Sequence, residues 1–272
     1  MQRQRWFEIH DQPWFPAYFR DLVTEGLEAV WNQNRTYHPI AGRLREAVRQ
    51  SGAEHIVDLC SGGGGPWLGL HAEVSDGSPL PVTLTDLYPN ALLARRRTSG
   101  LSVWHEPVDA RHVPAELRGF RTLFSSFHHF DPEAARAMLA DAFEHREGIA
   151  VLEGARPSAW TMVAVTAVPF LAFRAAIGAR PFRWDRILWS CLIPVVPAIL
   201  WIDGILSCLR SYSLDDLREL TTGLTAPDYE WQIGDAPGRV PIRYAIGRPK
   251  AARMPGENSA AELAGLTPSP WS

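Results

Sequence analysis

The sequence predicts an α/β fold built on a mostly parallel sheet, and three observations predict it. An apolar run, Ile56-Val-Asp-Leu59, leads straight into a glycine-rich turn, Gly62-Gly-Gly-Gly65. Further β-branched or apolar runs follow, each ending in a polar residue and separated from the next by a helical stretch. Two alternating segments near the C-terminal end, residues 229–234 and 241–247, read as an antiparallel strand pair. Strands that end in polar side chains and alternate with helices set a ligand crevice along the carboxyl edge of a parallel sheet.

The first 52 residues open on Trp6-Phe-Glu-Ile-His10-Asp-Gln-Pro-Trp14-Phe15-Pro-Ala-Tyr18-Phe19. Disordered chains are poor in aromatics, so this segment is expected to pack on the domain, either as a lid over the ligand or as a plug at one end of the sheet. Trp14, Phe15 and Tyr18 are its candidates for substrate contact. Residues 18–31 and 40–50 read as helices, with Leu22, Leu27 and Val30, then Leu44 and Val48, at helical spacing.

The core is expected over residues 53–155 and 211–250. In its glycine turn no side chain blocks the backbone from closing on a ligand, and a short helix from Pro66 to about Val74 would offer free amides to an anionic group. Val82-Thr-Leu-Thr-Asp86-Leu-Tyr88 reads as the second strand and its acidic end. Val108-Asp109-Ala-Arg111 is the third acid-bearing segment, Thr122-Leu-Phe-Ser-Ser-Phe127 the fourth run and Gly148-Ile-Ala-Val-Leu-Glu153 the fifth. A nicotinamide-binding fold would also show a glycine turn and a later acid. The interval from Asp58 to Asp86 is longer than the roughly 20 residues that fold uses, and Asp109 has no counterpart there. A phosphate-binding P-loop is excluded, because no Gly-Lys-Ser/Thr follows the glycines.

In this order, the signals resemble the class I S-adenosylmethionine-dependent methyltransferases over roughly residues 40–155 and the last two strands. The resemblance implies a Rossmann-like seven-stranded sheet, mostly parallel with a closing antiparallel hairpin. The family's acid-x-Gly-x-Gly-x-Gly motif falls on Asp58, Cys60, Gly62 and Gly64, with Ser61 and Gly63 between them. Cys60 stands where the family has glycine, which a negative φ would accommodate. The same resemblance implies that Asp86 holds the ribose hydroxyls, that Leu87 and Tyr88 flank the adenine, and that Asp109 and Ala110 meet its amine. It places Ser125, Ser126 and Phe127 beside the transferable methyl, with S-adenosylmethionine as cofactor and S-adenosylhomocysteine as product.

After Phe127 come His128, His129, Phe130, Asp131 and Pro132. Asp131 suits a helix N-cap and Pro132 the first turn, which leaves His128 and His129 as candidate general bases at the strand end. Strand alternation would send the two rings to opposite faces, so at most one is expected to face the methyl. No third ligand lies near them in sequence, and no metal is expected.

Residues 156–210 form an insert of different composition. Residues 159–173 carry no charge, and the 20 residues from Ile187 to Leu206 form an apolar run whose one charge is Asp203 and which is interrupted by Pro194 and Pro197. That length admits a membrane span. The two prolines and Asp203 instead favour a helical cap over an apolar substrate pocket, or helices lying in a membrane surface with the basic connector, Arg174 to Arg186, near headgroups. Trp160, Trp184, Trp189 and Trp201 are candidates to line the pocket, with Trp160 and Trp201 named as substrate contacts. Ser213-Leu-Asp-Asp-Leu-Arg-Glu-Leu reads as a capped helix, and residues 251–272 as a disordered tail.

A net charge of -3, with Arg95-Arg-Arg97 as the one basic run, argues against a nucleic-acid partner. Cys60, Cys191 and Cys208 lack the paired spacing of a zinc site or disulfide framework. The polar start, Met1-Gln-Arg-Gln-Arg-Trp6, does not read as a signal peptide, and a cytoplasmic location is expected. The expected function is methyl transfer, by direct displacement, to a small hydrophobic or lipid-like acceptor. Two alternatives remain: a nicotinamide-dependent oxidoreductase, and a non-catalytic protein that keeps the fold and binds a membrane or a subunit through its insert.

Overall fold

The computed structural model describes residues 7–78, 80–90, 99–156, 158–179 and 182–250. The Arg95–Arg97 run and the tail from residue 251 lie outside the described residues.

Seven strands form one sheet: β1 (Ile56–Leu59), β2 (Val82–Leu84), β3 (Leu101–Val103), β4 (Phe120–Phe124), β5 (Ile149–Glu153), β6 (Tyr229–Ala236) and β7 (Ile242–Pro249). Their order is β3-β2-β1-β4-β5-β7-β6. The first five run parallel, while β7 is antiparallel to both β5 and β6. Every residue of β1, β2, β4 and β5 is buried, as expected of parallel strands covered on both faces.

Alternation along β1 divides the core. Ile56 packs with α2 (Ala41–Ser51) and α3 (Trp67–Ser75) through Leu44, Val48, Trp67 and Leu70. Its neighbour Val57 packs on the opposite face with α4 (Pro132–Glu144) and α9 (Leu214–Thr221) through Met138, Leu139 and Leu217. The predicted Ser213 cap forms a reciprocal capping box with Asp216.

Two strand readings are corrected. The third strand is Leu101–Val103, and the Asp109 segment is a loop beyond its end. Pro107 precedes that loop and can donate no ladder hydrogen bond. The fourth strand closes at Phe124, so Ser125, Ser126 and Phe127 belong to the turn that follows.

The insert packs on α1 (Ala17–Gln33) rather than on the sheet. It comprises α5 (Ala159–Val165), α6 (Val168–Gly178), α7 (Trp184–Ile187), a π-helical turn (Leu188–Leu192) and α8 (Val195–Arg210). Leu22, Val23 and Val30 of α1 bury against Ala172, Ala175, Val196, Ile199 and Leu200. The basic connector does not reach outward at Arg183 and Arg186. Both guanidinium groups pair with buried Glu25 of α1, at 3.1 and 3.5 Å. Among the described residues no single helix is long and apolar enough to cross a membrane; two consecutive pairs, α5 with α6 and α7 through the π turn with α8, are bent by 40° and 63°.

Candidate active site

A cleft of about 380 Å³ opens along the carboxyl ends of β1, β2 and β4. Its floor is the glycine turn. Cys60 adopts φ +57°, Gly62 +52° and Gly65 +56°, so the expectation of a negative φ at Cys60 is overturned. The turn needs a left-handed residue there whether or not glycine supplies it. Ser61 Oγ donates to Asp58 Oδ2 at 2.6 Å, Thr122 Oγ1 donates to Asp58 Oδ1 at 2.6 Å, and Ser61 N–H donates to the Thr85 carbonyl at 2.9 Å. Burial pushes the Asp58 carboxyl up to about 6 despite these donors. Helix α1 covers the turn from outside: a Cβ on Gly63 would lie 2.8 Å from the Thr24 carbonyl oxygen. The glycines therefore admit the α1 backbone as well as any ligand.

Asp86 closes the turn from the β2 side. Its Oδ2 accepts from Gly62 N–H at 2.7 Å and its Oδ1 from Tyr88 N–H at 2.8 Å. Burial raises its pKa. The Arg20 guanidinium stacks 4.1 Å above the Tyr88 ring. Asp109 is chelated by Arg111, whose Nε lies 2.9 Å from Oδ1 and whose Nη2 lies 2.6 Å from Oδ2; this pair holds the carboxyl below its usual range.

Most of the expected ligand residues meet in this cleft: Cys60, Ser61, Gly62 and Gly63 from the turn, Asp86, Leu87 and Tyr88 after β2, Asp109 and Ala110 from the loop, and Ser125 and Ser126 after β4. Asp58 and Gly64 stand behind the turn. Phe127 is corrected: it is fully buried against Tyr212, and it is the Phe127 N–H, donating to Glu153 Oε1 at 2.8 Å, that organises the strand end. Ser125, at φ +43°, sits 2.6 Å from the Tyr37 hydroxyl and accepts from Gly154 N–H.

The two histidines also need correction. They occupy a 3-10 turn, Phe127–His129, and their rings lie 4.4 Å apart at 34°, on the same side rather than on opposite faces. Helical geometry replaces strand alternation because the strand has already ended. His128 is buried outside the cleft, with Nδ1 2.6 Å from Glu153 Oε2 and Nε2 3.1 Å from Glu8 Oε1. Burial alone would lower its pKa, but Glu153 and Glu8 outweigh this and raise it to about 10; with both ring nitrogens turned to carboxylates outside the cleft, it does not face an acceptor. His129 lines the cleft, its Nδ1 hydrogen-bonded to Asp11 and its Nε2 3.7 Å from Glu8 Oε2. Asp131 caps α4 as predicted, accepting from Ala134 N–H at 2.8 Å.

Glu8, His10 and Asp11 were not legible as site residues. The N-terminal segment brings all three to the strand ends, with His10 and Asp11 in the cleft. Burial pushes the Glu8 carboxyl up, and the imidazoles of His129 and His128 outweigh this and hold it at about 2. Asp11 is likewise held well below the usual carboxylate range, mainly by His129. Burial opposes charge on His10, but its hydrogen bond to Asp203 raises it to about 9. Arg210 donates to the His129 carbonyl at 2.8 Å, and Ser207 Oγ donates to Glu8 Oε1 at 3.0 Å. Arg20 holds the segment in place by donating to the carbonyls of His10, Gln12 and Phe15. The signal was a Glu-x-His-Asp string among aromatics and an acid and an arginine in an apolar helix. Each is costly unless paired.

None of the aromatic substrate candidates reaches the cleft. Trp14, Tyr18, Trp160 and Trp201 are exposed on the outer surface, while Phe15 fills the core between α1 and the insert. Trp184 is the most exposed of the insert tryptophans, and Trp189 packs on Phe19. The apolar lining comes instead from Leu27 and Trp31 of α1, Phe124 and Phe130.

No family model matches the chain, and neither does any curated protein. Similar solved structures include human N-acetylserotonin methyltransferase in complex with SAM, at 13% identity and TM-score 0.46, covering 83% of this chain and 56% of that one. The plantazolicin methyltransferase BpumL, in complex with a monoazolic desmethylPZN analogue and SAH, is similar at 9% identity and TM-score 0.49, covering 86% and 98%. The mitomycin 7-O-methyltransferase MmcR is similar at 18% identity and TM-score 0.44, covering 77% and 52%. The chain thus spans about half the length of the first and third of these. The fold stands on the chain's own sheet order, with β7 antiparallel between β5 and β6. The chain has a Rossmann-like, mostly parallel seven-stranded sheet. On such a sheet the ligand crevice lies outside the carboxyl ends of the strands, where the glycine turn, Asp86 and Asp109 converge.

Proposed function

We propose that this protein is an S-adenosylmethionine-dependent methyltransferase acting on a small hydrophobic acceptor. The observation that carries the reading is the meeting of the glycine turn, Asp86 and Asp109 in one cleft at the carboxyl edge. The donor set fits the cofactor. Each Asp86 oxygen accepts one backbone N–H and keeps a lone pair for a ribose hydroxyl. Asp109 and the Ala110 backbone edge the adenine position, and Leu87 and Tyr88 supply its apolar walls.

When bound, S-adenosylmethionine supplies a sulfonium methyl that a nucleophile displaces in line with the sulfur. The protein's share is chiefly positioning. Ser125 and Ser126 edge the reacting end, and Leu27, Trp31, Phe124 and Phe130 give an acceptor apolar contact. Asp11 and His129 line the cleft as a hydrogen-bonded pair, and Asp11 is placed to take a proton from an acceptor hydroxyl.

Calorimetric titration with S-adenosylmethionine and S-adenosylhomocysteine tests the reading. Micromolar binding of both is expected; binding of a nicotinamide dinucleotide in their place would overturn it. A membrane surface is the proposed place where a lipid-like acceptor is met. Trp160, Phe170, Trp184 and Leu192 of the insert all face outward, which favours it. Co-sedimentation with anionic vesicles, lost in Trp184→Ser/Leu192→Ser, is the expected result; wild-type protein left in the supernatant would remove this part of the reading.

A further inference from the structure

The buried polar cluster beside the cleft has more order than a lid anchor requires. His128 and His129 turn their Nε2 atoms toward the two oxygens of one carboxylate, Glu8, at 3.1 and 3.7 Å. We propose that Glu8, His128 and His129 form a binding site for one divalent transition-metal ion of the zinc class.

Three observations support the assignment. The candidate donor atoms lie within 4.8 Å of one another, and a tetrahedral ion with bonds of about 2.0–2.2 Å holds its ligand atoms about 3.3–3.6 Å apart, so the site closes on an ion with small side-chain movements. The far side of each ring is already oriented: Glu153 holds His128 Nδ1 at 2.6 Å, and Asp11 holds His129 Nδ1. Carboxylates on the second nitrogen are the usual outer partners of metal-bound histidine, where they fix the ring and make it a better donor. Charge also favours a cation. Glu8, Asp11, Glu153 and Asp203 crowd around Arg210 and the imidazoles; a divalent ion binds imidazole as a neutral ligand, and any proton it displaces goes to solvent.

Two imidazoles and a carboxylate suit zinc, cobalt(II) or iron(II) better than magnesium or calcium. Three protein ligands leave a tetrahedral ion one position for water. A second group of suitable donors, Glu8 with His10 and Asp203, shares Glu8. Asp203 is already committed to two backbone N–H groups there, so the histidine pair is the stronger site. Glu8 lies 120 residues before His128, and an ion between them staples the N-terminal segment to the sheet.

The test uses the full-length protein, stripped by a chelator and titrated with zinc chloride by calorimetry and with cobalt(II) by visible absorption. One equivalent of zinc, a raised unfolding temperature and the intense absorption of low-coordinate cobalt(II) are expected. Asp11→Asn should weaken zinc about 10- to 100-fold, and Glu8→Gln or His129→Ala should abolish the stoichiometric site. No stoichiometric zinc on folded wild-type protein would overturn the proposal, as would zinc retained by folded Glu8→Gln. Should these variants fail to fold, X-ray absorption of the zinc-loaded wild type decides, since two imidazole shells are expected and a first shell without them refutes the site. None of these readouts depends on the methyl-transfer reading, which the cofactor titration tests separately.

Discussion

Asp203 and His10 are locked together across almost the whole chain. Asp203 Oδ2 sits 2.6 Å from His10 Nδ1 and accepts the His10 N–H at 3.2 Å, while Oδ1 takes the Ile9 N–H at 2.8 Å. The lone acid in an otherwise apolar helix is thus the anchor of the segment that walls the cleft. Asp203→Ala removes it and leaves His10 partnered on one side only. Loss of one member of a buried pair should lower stability by about 3 kcal/mol in denaturant titration, with Asp203→Asn, which keeps an acceptor, losing less.

Cys60 in the left-handed region costs about 1–2 kcal/mol that glycine would not incur. Glycine gives back part of this through its freer unfolded chain. Cys60→Gly should therefore gain roughly 0.5–1 kcal/mol, read as a raised urea midpoint at unchanged slope. Gly63→Ala should do the reverse, because its Cβ would meet the Thr24 carbonyl oxygen at 2.8 Å; a loss of about 1–3 kcal/mol is expected from such overpacking.

Asp86→Ala removes both the proposed ribose acceptor and the partner of two turn amides. Charged hydrogen bonds contribute about 1.5–3 kcal/mol, so affinity for S-adenosylhomocysteine should fall by about 10- to 150-fold in calorimetry. Unchanged affinity would refute the placement.

Asp58 predicts a pH dependence. Its folded pKa, about 6, lies above its ordinary 3.8, because burial favours the neutral acid. Its contribution to stability is therefore complete below pH 3.8 and lost as pH rises through 6. The difference amounts to about 3 kcal/mol. Urea midpoints across this window should fall less steeply in Asp58→Asn than in the wild type.

Asp11→Asn should slow methylation of a hydroxyl acceptor by about 10²- to 10⁴-fold if Asp11 takes its proton, with cofactor affinity unchanged. An acceptor that enters already deprotonated should be spared. Equal losses for both acceptors would mean that Asp11 only holds His129.

Most of the parallel core was readable because its signals are local: β1 and β5 are short runs that are apolar apart from Asp58 and Glu153, and Asp86 follows closely on β2, whereas the third strand was misplaced onto the Asp109 segment. Asp86, Asp109 and the glycine turn were found that way. Ser213 and Asp131 announced their helices through cap chemistry. The aromatic candidates failed for the opposite reason. Whether Trp160 or Trp201 faces a pocket or the outside depends on how α5 and α8 rotate against α1, and no short pattern encodes that. His128 and His129 were placed on the right loop and given the wrong geometry, because one 3-10 turn replaced two strand residues. Glu8 and Asp11 escaped notice because their partners lie more than 100 residues away.

The Ile9–Asp203 hydrogen bond spans 194 residues, which sets an order of events at the ribosome. The segment that completes the cleft is synthesised first and finds its anchor only after α8 has emerged. At translation speeds of about 5–20 residues per second, that is on the order of 10–40 s during which Ile9 and His10 are without Asp203. The wall of the cleft is therefore made early in synthesis and fastened late.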